Sequence, residues 1–255
     1  MDLQFRDKHA LVFGGSRGIG LAIVEALVAE GARVSFCARN SDQVTSVVSR
    51  LLAAGGDVHG AVVDFSDRAA TQRWIAARAE AGGIDVAMLC VSSLVMGATG
   101  NDWEKAVATD IDGTVNAIQA LRPHLERSAG HKGDAAIVQI STTAVCETVV
   151  TSAYGPAKAA VAHYCKALAR ELGAKKVRIN TVAPGMVYFE GGVWHKVEKA
   201  APDRFAIAIG RNPTGRMATP KEVAAAAVFL ASPRSSYTSG ANLVIDGALT
   251  QTVHF

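Results

Sequence analysis

The feature that most constrains this chain is a glycine-rich turn set between a short apolar run and an amphipathic one. His9–Phe13 reads as a buried strand, and Gly14-Gly15-Ser16-Arg17-Gly18-Ile19-Gly20 follows at once. Ile19, Ala22, Ile23, Ala26 and Leu27 then recur at helical spacing until Gly31 ends the run. A strand, a turn and a helix in that order set up a crossover, which returns the chain to lay its next strand parallel to the first.

The alternation continues to the carboxyl end. Val34–Cys37 reads as a second strand, and Ser41 caps a helix with the apolar face Val44, Val47, Val48, Leu51 and Leu52, stopped by Gly55 and Gly56. Next come the strand Val58–Val63, a helix over 67–81, the strand Val86–Val91 and a long helix over Asp102–Arg127 that Pro123 is expected to bend or end. The strand Ala135–Ile140, the helix Ser152–Leu172, the strand Val177–Val182, an irregular segment, a helix over Pro220–Leu230 and the strand Leu243–Ile245 complete the reading. Seven strands alternating with helices predict an α/β fold, a doubly wound parallel sheet of Rossmann type with helices on both faces. With 255 residues, 49% of them hydrophobic, and neither a linker nor an internal repeat, 1–255 reads as a single domain.

The turn carries the first functional reading. At a strand-to-helix junction, free backbone amides and the helix dipole receive a diphosphate. Gly14 permits the turn, Gly18 lets the backbone approach phosphate and Gly20 lets helix and strand pack closely, with Ser16, Arg17 and Ile19 completing the cradle. The second strand ends in Phe36-Cys37-Ala38-Arg39-Asn40, without the carboxylate that would hold a ribose 2′-hydroxyl. Arg39 and Arg17 are placed instead to bracket a 2′-phosphate, so NADP is expected in preference to NAD.

The second reading is catalytic. Tyr154 and Lys158 are four residues apart near the start of a helix and share one face. A free phenol titrates near about 10, and a neighbouring ammonium is the usual means of making it a working acid and base at neutral pH. Upstream, Ile137-Val138-Gln139-Ile140 runs into Ser141-Thr142-Thr143, hydroxyls at the carboxyl end of a strand, where open α/β sheets hold their ligands. One of these hydroxyls would hydrogen-bond a substrate oxygen as charge shifts.

Other classes are disfavoured. A net charge of +3, with both signs interspersed, argues against nucleic acid and anionic membrane surfaces. Met1–Lys8 carries four charges before the first apolar run, unlike a signal peptide, and no stretch approaches the roughly 20 apolar residues of a membrane span. Cys37, Cys90, Cys146 and Cys165 are far apart and form neither a metal-ligand pattern nor a disulfide framework, so a reducing, cytoplasmic setting and no metal are expected.

Taken together, the residues resemble the short-chain dehydrogenase/reductase family over essentially the whole chain. Its glycine pattern is matched by Gly14, Gly18 and Gly20, its YxxxK by Tyr154 and Lys158, and its PG turn by Pro184-Gly185. Gly215-Arg216-Met217, Pro220-Lys221-Glu222-Val223, Ser239-Gly240 and Val244-Ile245-Asp246-Gly247 resemble the ketoreductase branch, which includes 3-oxoacyl-carrier-protein reductases. The resemblance implies an NADP(H)-dependent oxidoreductase interconverting a ketone or aldehyde and an alcohol. Tyr154 would serve as acid for reduction and base for oxidation, and Lys158 would lower its pKa and hold the nicotinamide ribose. Asp64 and Phe65 would flank the adenine, and Pro184, Gly185 and Val187 would border the nicotinamide. It also implies a small-molecule substrate and a homo-oligomer, a dimer or tetramer.

The chain departs from the family pattern near the proton relay. Strand register aligns the family's catalytic serine with Thr142, whereas the usual spacing of thirteen before the tyrosine points to Ser141; only one of two successive strand residues faces the site, and register favours Thr142. Leu89-Cys90-Val91-Ser92 replaces the Asn-Asn-Ala-Gly stretch, which puts Val91 beside the cofactor. Asp110 stands where the family has a helix asparagine that supports a water-linked path to the lysine, and its charge is expected to alter the pH optimum. These changes leave a second reading, a catalytically weak NADP-binding sensor or structural protein.

Between Pro184-Gly185 and Pro220, the residues Met186, Tyr188, Phe189, Val193, Trp194, His195 and Phe205 fall in the irregular segment, read as a substrate lid over about 186–216 with a Gly191-Gly192 hinge. Its aromatic residues either line an apolar pocket or pack beneath the lid, and His195 is read as a packing or surface residue. Met96 and Val145–Val149 are expected to wall the same pocket.

Overall fold

The computed structural model describes residues 1–148 and 150–253. Seven strands, β1 (His9–Phe13), β2 (Arg33–Ala38), β3 (Val58–Val62), β4 (Val86–Leu89), β5 (Ala135–Ile140), β6 (Val177–Pro184) and β7 (Asn242–Ile245), form one sheet in the order β3-β2-β1-β4-β5-β6-β7. Every pairing is parallel. The order reverses direction between β1 and β4, which opens a crevice at the carboxyl ends of those strands.

Successive strand residues feed opposite layers. Ala10, Val12, Val86, Met88, Val138 and Ile140 pack in one cluster with α1 (Gly18–Ala29), α2 (Ser41–Ala53) and α9 (Pro220–Ala231). Leu11, Phe13, Ala87, Leu89 and Ile137 pack in the other with α3 (Arg68–Glu80), α5 (Gly113–Lys132) and α6 (Tyr154–Leu172). Burial on both faces explains why the central strands are apolar throughout rather than alternating.

The expected long helix over Asp102–Arg127 is three pieces: α4 (Gly100–Ala106), a π-helical turn at Val107–Asp112, and α5. A Thr99–Asp102 capping box starts α4. Pro123 does not end the helix, which runs nine residues further to Lys132. The carbonyl that loses its partner belongs to Gln119, an exposed residue, so it need not be buried without one.

The segment read as irregular contains two short helices, α7 (Val193–Ala200) and α8 (Pro202–Arg211). Pro202 supplies the first position of α8, which suits a residue with no amide to donate. Tyr188 packs edge-on against His195 and Phe205, with ring centroids 6.1 and 5.9 Å apart, and its hydroxyl donates to Glu198. These rings therefore hold α7 and α8 to the loop after β6, and His195 also accepts the Gly191 amide at 2.9 Å, in keeping with a packing role.

Below the sheet, Arg178 is a buried clamp. Its guanidinium donates to Asp134 at 2.7 and 3.1 Å and to the carbonyls of Leu230, Ala231 and Ser232 at the end of α9. Arg178→Ala strands Asp134 and three carbonyls, so a loss of about 3 kcal/mol is expected. Calorimetry should read a Tm lower by roughly 6–12 °C; an unchanged Tm would contradict the clamp.

Candidate active site

The glycine turn is held by its neighbours before any ligand is considered. The Gly14 and Gly15 amides both donate to the Cys37 carbonyl of β2, at 2.8 and 3.1 Å. A Cβ on Gly20 would lie 2.1 Å from the Gly14 carbonyl oxygen, so only glycine lets α1 begin this close to β1. Gly14 and Gly18 have φ of +84° and +55°, the left-handed region. No side chain caps α1, which leaves its first amides facing the crevice. Such a cradle fits a dinucleotide diphosphate.

Around the turn, Ser16 donates to Gln43 of α2 at 2.9 Å, and Asn40 caps that helix by accepting the Gln43 amide at 2.8 Å. Neither Arg17 nor Arg39 forms a salt bridge among the described residues, so both guanidinium groups remain available to an anion. Asp64 is exposed; hydrogen bonds from Ser66, with a smaller contribution from the Arg39 charge, hold its carboxyl below the usual range. Phe65 departs from expectation. Its ring is 3% exposed and packs edge-on against Phe13 at 5.5 Å, so its side chain is core and only its backbone can meet an adenine.

The loop after β6 crosses over this turn. Pro184 pairs with Ile245, the Gly185 amide donates to the Ile245 carbonyl at 3.0 Å, and Val187 bridges to Ala218. Phe189 then lays its ring on Gly18: a Cβ there would stand 2.7 Å from Phe189 Cζ. The sequence pointed to Phe189 only as one of several aromatic residues near the pocket, because nothing local links position 189 to position 18.

Tyr154 opens α6, and a missed residue explains how it is placed. A Cβ on Gly155 would lie 2.8 Å from the Ala144 carbonyl, so glycine allows the first turn of α6 to press against the short 3-10 turn Thr143–Val145. The Gly155-Pro156 pair at a helix start is the signal that was available. The Ala153 amide also donates to the Gly97 carbonyl at 2.9 Å, tying the loop after β4 to the start of α6. Among the residues expected to wall the pocket, Met96 is exposed and Val149 lies outside the described residues.

The side-chain hydroxyls of Thr142 and Ser92 lie near enough to the Tyr154 phenol to favour its ionised form. Ser141 is buried, its amide continues the ladder to Val182 at 2.7 Å, and its hydroxyl has no partner. The geometry thus brings Thr142, not Ser141, to the phenol. Ser92, from the loop that departs from the family pattern, is the second missed residue.

Lys158 is 2% exposed, and its ammonium lies 3.0 Å from Asp110 Oδ1, 3.0 Å from the Val91 carbonyl and 3.5 Å from the Ile140 carbonyl. Asp110, fully buried in the π-helical turn, also accepts from the Ser93 amide at 3.1 Å and from the Ser93 hydroxyl. The expected acidified phenol is not what these contacts produce. Burial, and secondarily the Asp110 carboxylate, push Tyr154 up to about 12 against the opposing influence of the nearby Thr142 and Ser92 hydroxyls. The lysine is engaged with Asp110 and two carbonyls instead.

A phosphate-binding turn at the switch point, beside a phenol and a hydroxyl at the end of β5, defines a nicotinamide-dependent oxidoreductase. The comparisons agree. A family model described as Enoyl-(Acyl carrier protein) reductase matches residues 14–250. Isoepoxydon dehydrogenase of Penicillium expansum is 34% identical over 247 residues, 94% of each chain. Two solved structures superpose closely: the RhlG/NADP active-site complex of Pseudomonas aeruginosa (TM-score 0.88, 31% identity, 97% of this chain and 98% of that one), and an NADPH-bound short chain oxidoreductase from Pseudomonas aeruginosa PAO1 containing an atypical catalytic center (TM-score 0.87, 28% identity, 97% and 98%). The chain belongs to the short-chain dehydrogenase/reductase family.

Gly20→Ala forces α1 away from β1. Fluorescence titration with a reduced nicotinamide nucleotide should register an affinity at least about tenfold weaker, roughly 1.4 kcal/mol; unaltered affinity would remove the turn as the nucleotide seat.

Proposed function

We propose that the protein is an NADP(H)-dependent reductase of ketones or aldehydes that also oxidises the corresponding alcohols, with Tyr154 as the proton-transfer group. The observation that carries this reading is the Tyr154 phenol at the start of α6, with the Thr142 and Ser92 hydroxyls near it and the buried Lys158 one turn further along. Bound NADPH would supply the hydride.

Tyr154 gives its proton to the carbonyl oxygen during reduction and takes one back during oxidation. The Thr142 hydroxyl donates to the same oxygen, which stabilises the negative charge that develops there. Ser141 contributes the amide that aligns the strand end. Lys158 anchors the first turn of α6 and is the cation nearest a nicotinamide ribose seated in the crevice, with Val91 beside it. Gly14, Ser16, Arg17, Gly18, Ile19 and Gly20 hold the diphosphate, the exposed Asp64 and the backbone of Phe65 face the adenine, and Pro184, Gly185 and Val187 border the nicotinamide.

Preference for NADP rests on Arg17 and Arg39, free of salt bridges among the described residues, and on the absence of a carboxylate at the end of β2. The NADP and NADPH bound in the two Pseudomonas aeruginosa structures support it. A binding-only role is not favoured: a sensor needs the glycine turn but has no use for a phenol and a threonine aimed at one point. The segment 186–216 is assigned as the substrate cover, which favours a partly apolar small molecule. Resemblance carries a homo-oligomer and a cytoplasmic setting into the proposal; among the described residues no helix is long and apolar enough to cross a membrane.

Tyr154→Phe should lower turnover by about 10²–10⁴-fold with NADPH affinity retained, measured by NADPH consumption against a ketone panel. Retained turnover would defeat the role of Tyr154. Arg39→Asp should reduce the NADP-to-NAD ratio of kcat/KM by roughly ten- to a hundredfold, as one charge-assisted contact is lost; a constant ratio would place the 2′-phosphate elsewhere.

A further inference from the structure

The buried Asp110 carboxylate is a charge that the proton transfer itself does not require. It reaches the site because the π-helical turn Val107–Asp112 interrupts the path from α4 to α5, and π turns are costly enough to persist mainly where they position something. Fully buried, Asp110 has two polar partners of opposite kind: the Lys158 ammonium at 3.0 Å, and Ser93, whose amide and hydroxyl both donate to Oδ2. The remaining contacts of Lys158 are the carbonyls of Val91 and Ile140. The Tyr154 hydroxyl has other neighbours, the hydroxyls of Thr142 and Ser92. Two neighbouring ionisable groups on one helix turn are thus assigned to different partners.

We propose that Asp110 is a positioning residue: it confines the Lys158 ammonium to a cage of one carboxylate and two carbonyls, apart from the Tyr154 hydroxyl, and thereby sets the pH at which Tyr154 changes from proton donor to proton acceptor. The physical reason is that an ammonium and a carboxylate in contact present little net charge to a third group. A phenolate forming beside them meets the carboxylate's repulsion as well as the ammonium's attraction. The other titratable groups facing the pair are thiols, Cys90 from the segment after β4 and Cys165 from α6, which burial pushes up to about 12 and which stay neutral. Asp110 is therefore the negative charge that governs the phenol, and its removal lowers the pH at which the phenol ionises.

This inference rests on the reading that Tyr154 transfers the proton, and its test separates the two. In nucleotide-free protein, phenolate formation is followed by ultraviolet difference absorbance, with the Tyr154→Phe form subtracted to isolate this residue. Asp110→Asn preserves shape and the bonds from Ser93 but removes the charge. The expected result is ionisation of Tyr154 at a pH lower by about one unit or more, with a matching downward move of the rising limb in the pH profile of alcohol oxidation and of the falling limb in that of ketone reduction. Ser93→Ala, which keeps the carboxylate and its pairing with Lys158, is expected to leave both where they are.

An unmoved phenol titration in a folded Asp110→Asn protein would overturn the proposal, as would an equal shift in Ser93→Ala, since loosening of the loop would then account for both. A shifted titration in a protein that proves inactive toward carbonyls and alcohols would sustain the inference while defeating the assigned function.

Discussion

A lysine ammonium buried to 2% exposure needs partners, and those of Lys158 tie together the parts of this fold that make the site. Asp110 comes from the turn between α4 and α5, Val91 from the end of β4, Ile140 from the end of β5, and the lysine itself from α6. Removing any one of these would leave a charge or a carbonyl unsatisfied in the interior, where the penalty is several kcal/mol per ion. The carboxyl ends of two central strands and the start of α6 are thereby kept in register, and Tyr154 and Thr142 can meet.

The same economy of position governs the nucleotide side. Gly20 touches Gly14, the Gly14 and Gly15 amides reach β2, and α1 is left uncapped toward the crevice. Phe189, resting on Gly18, joins this turn to the segment that leads into α7 and α8. The glycine turn and the segment proposed to cover the crevice are thus in direct contact. Tyr188, packed against His195 and Phe205, carries that contact onward into the two helices.

The Tyr154–Lys158 pair shows how a shared motif can be given a local character. Spacing alone put Tyr154 and Lys158 on one helix face, and the simplest electrostatic reading made the phenol acidic. The buried Asp110 changes that balance, because a carboxylate in contact with the ammonium opposes its effect on the phenol. The groups that favour the ionised phenol are then the hydroxyls of Thr142, after β5, and Ser92, in the loop after β4.

Much of the molecule was legible from residue order. Short apolar runs and period-3.6 patterns identified seven strands and most of their helices, since burial on both faces of a strand, or on one face of a helix, imposes those patterns locally. The glycine turn and the Tyr154–Lys158 pair were readable because each depends on residues a few positions apart. What the chain order did not disclose was decided by contacts between distant segments. Thr142 rather than Ser141 meets the phenol because Gly155 lets α6 press on Ala144, and Asp110 turns inward because a π turn shifts its helix face. Phe65 serves the core because Phe13 and Gly113 surround its ring, and α7 and α8 form because Tyr188 and Phe205 give their apolar faces somewhere to pack. Local spacing determines which side chains can share a face, but the field and the partners each one meets are set by whichever segments the fold brings against it.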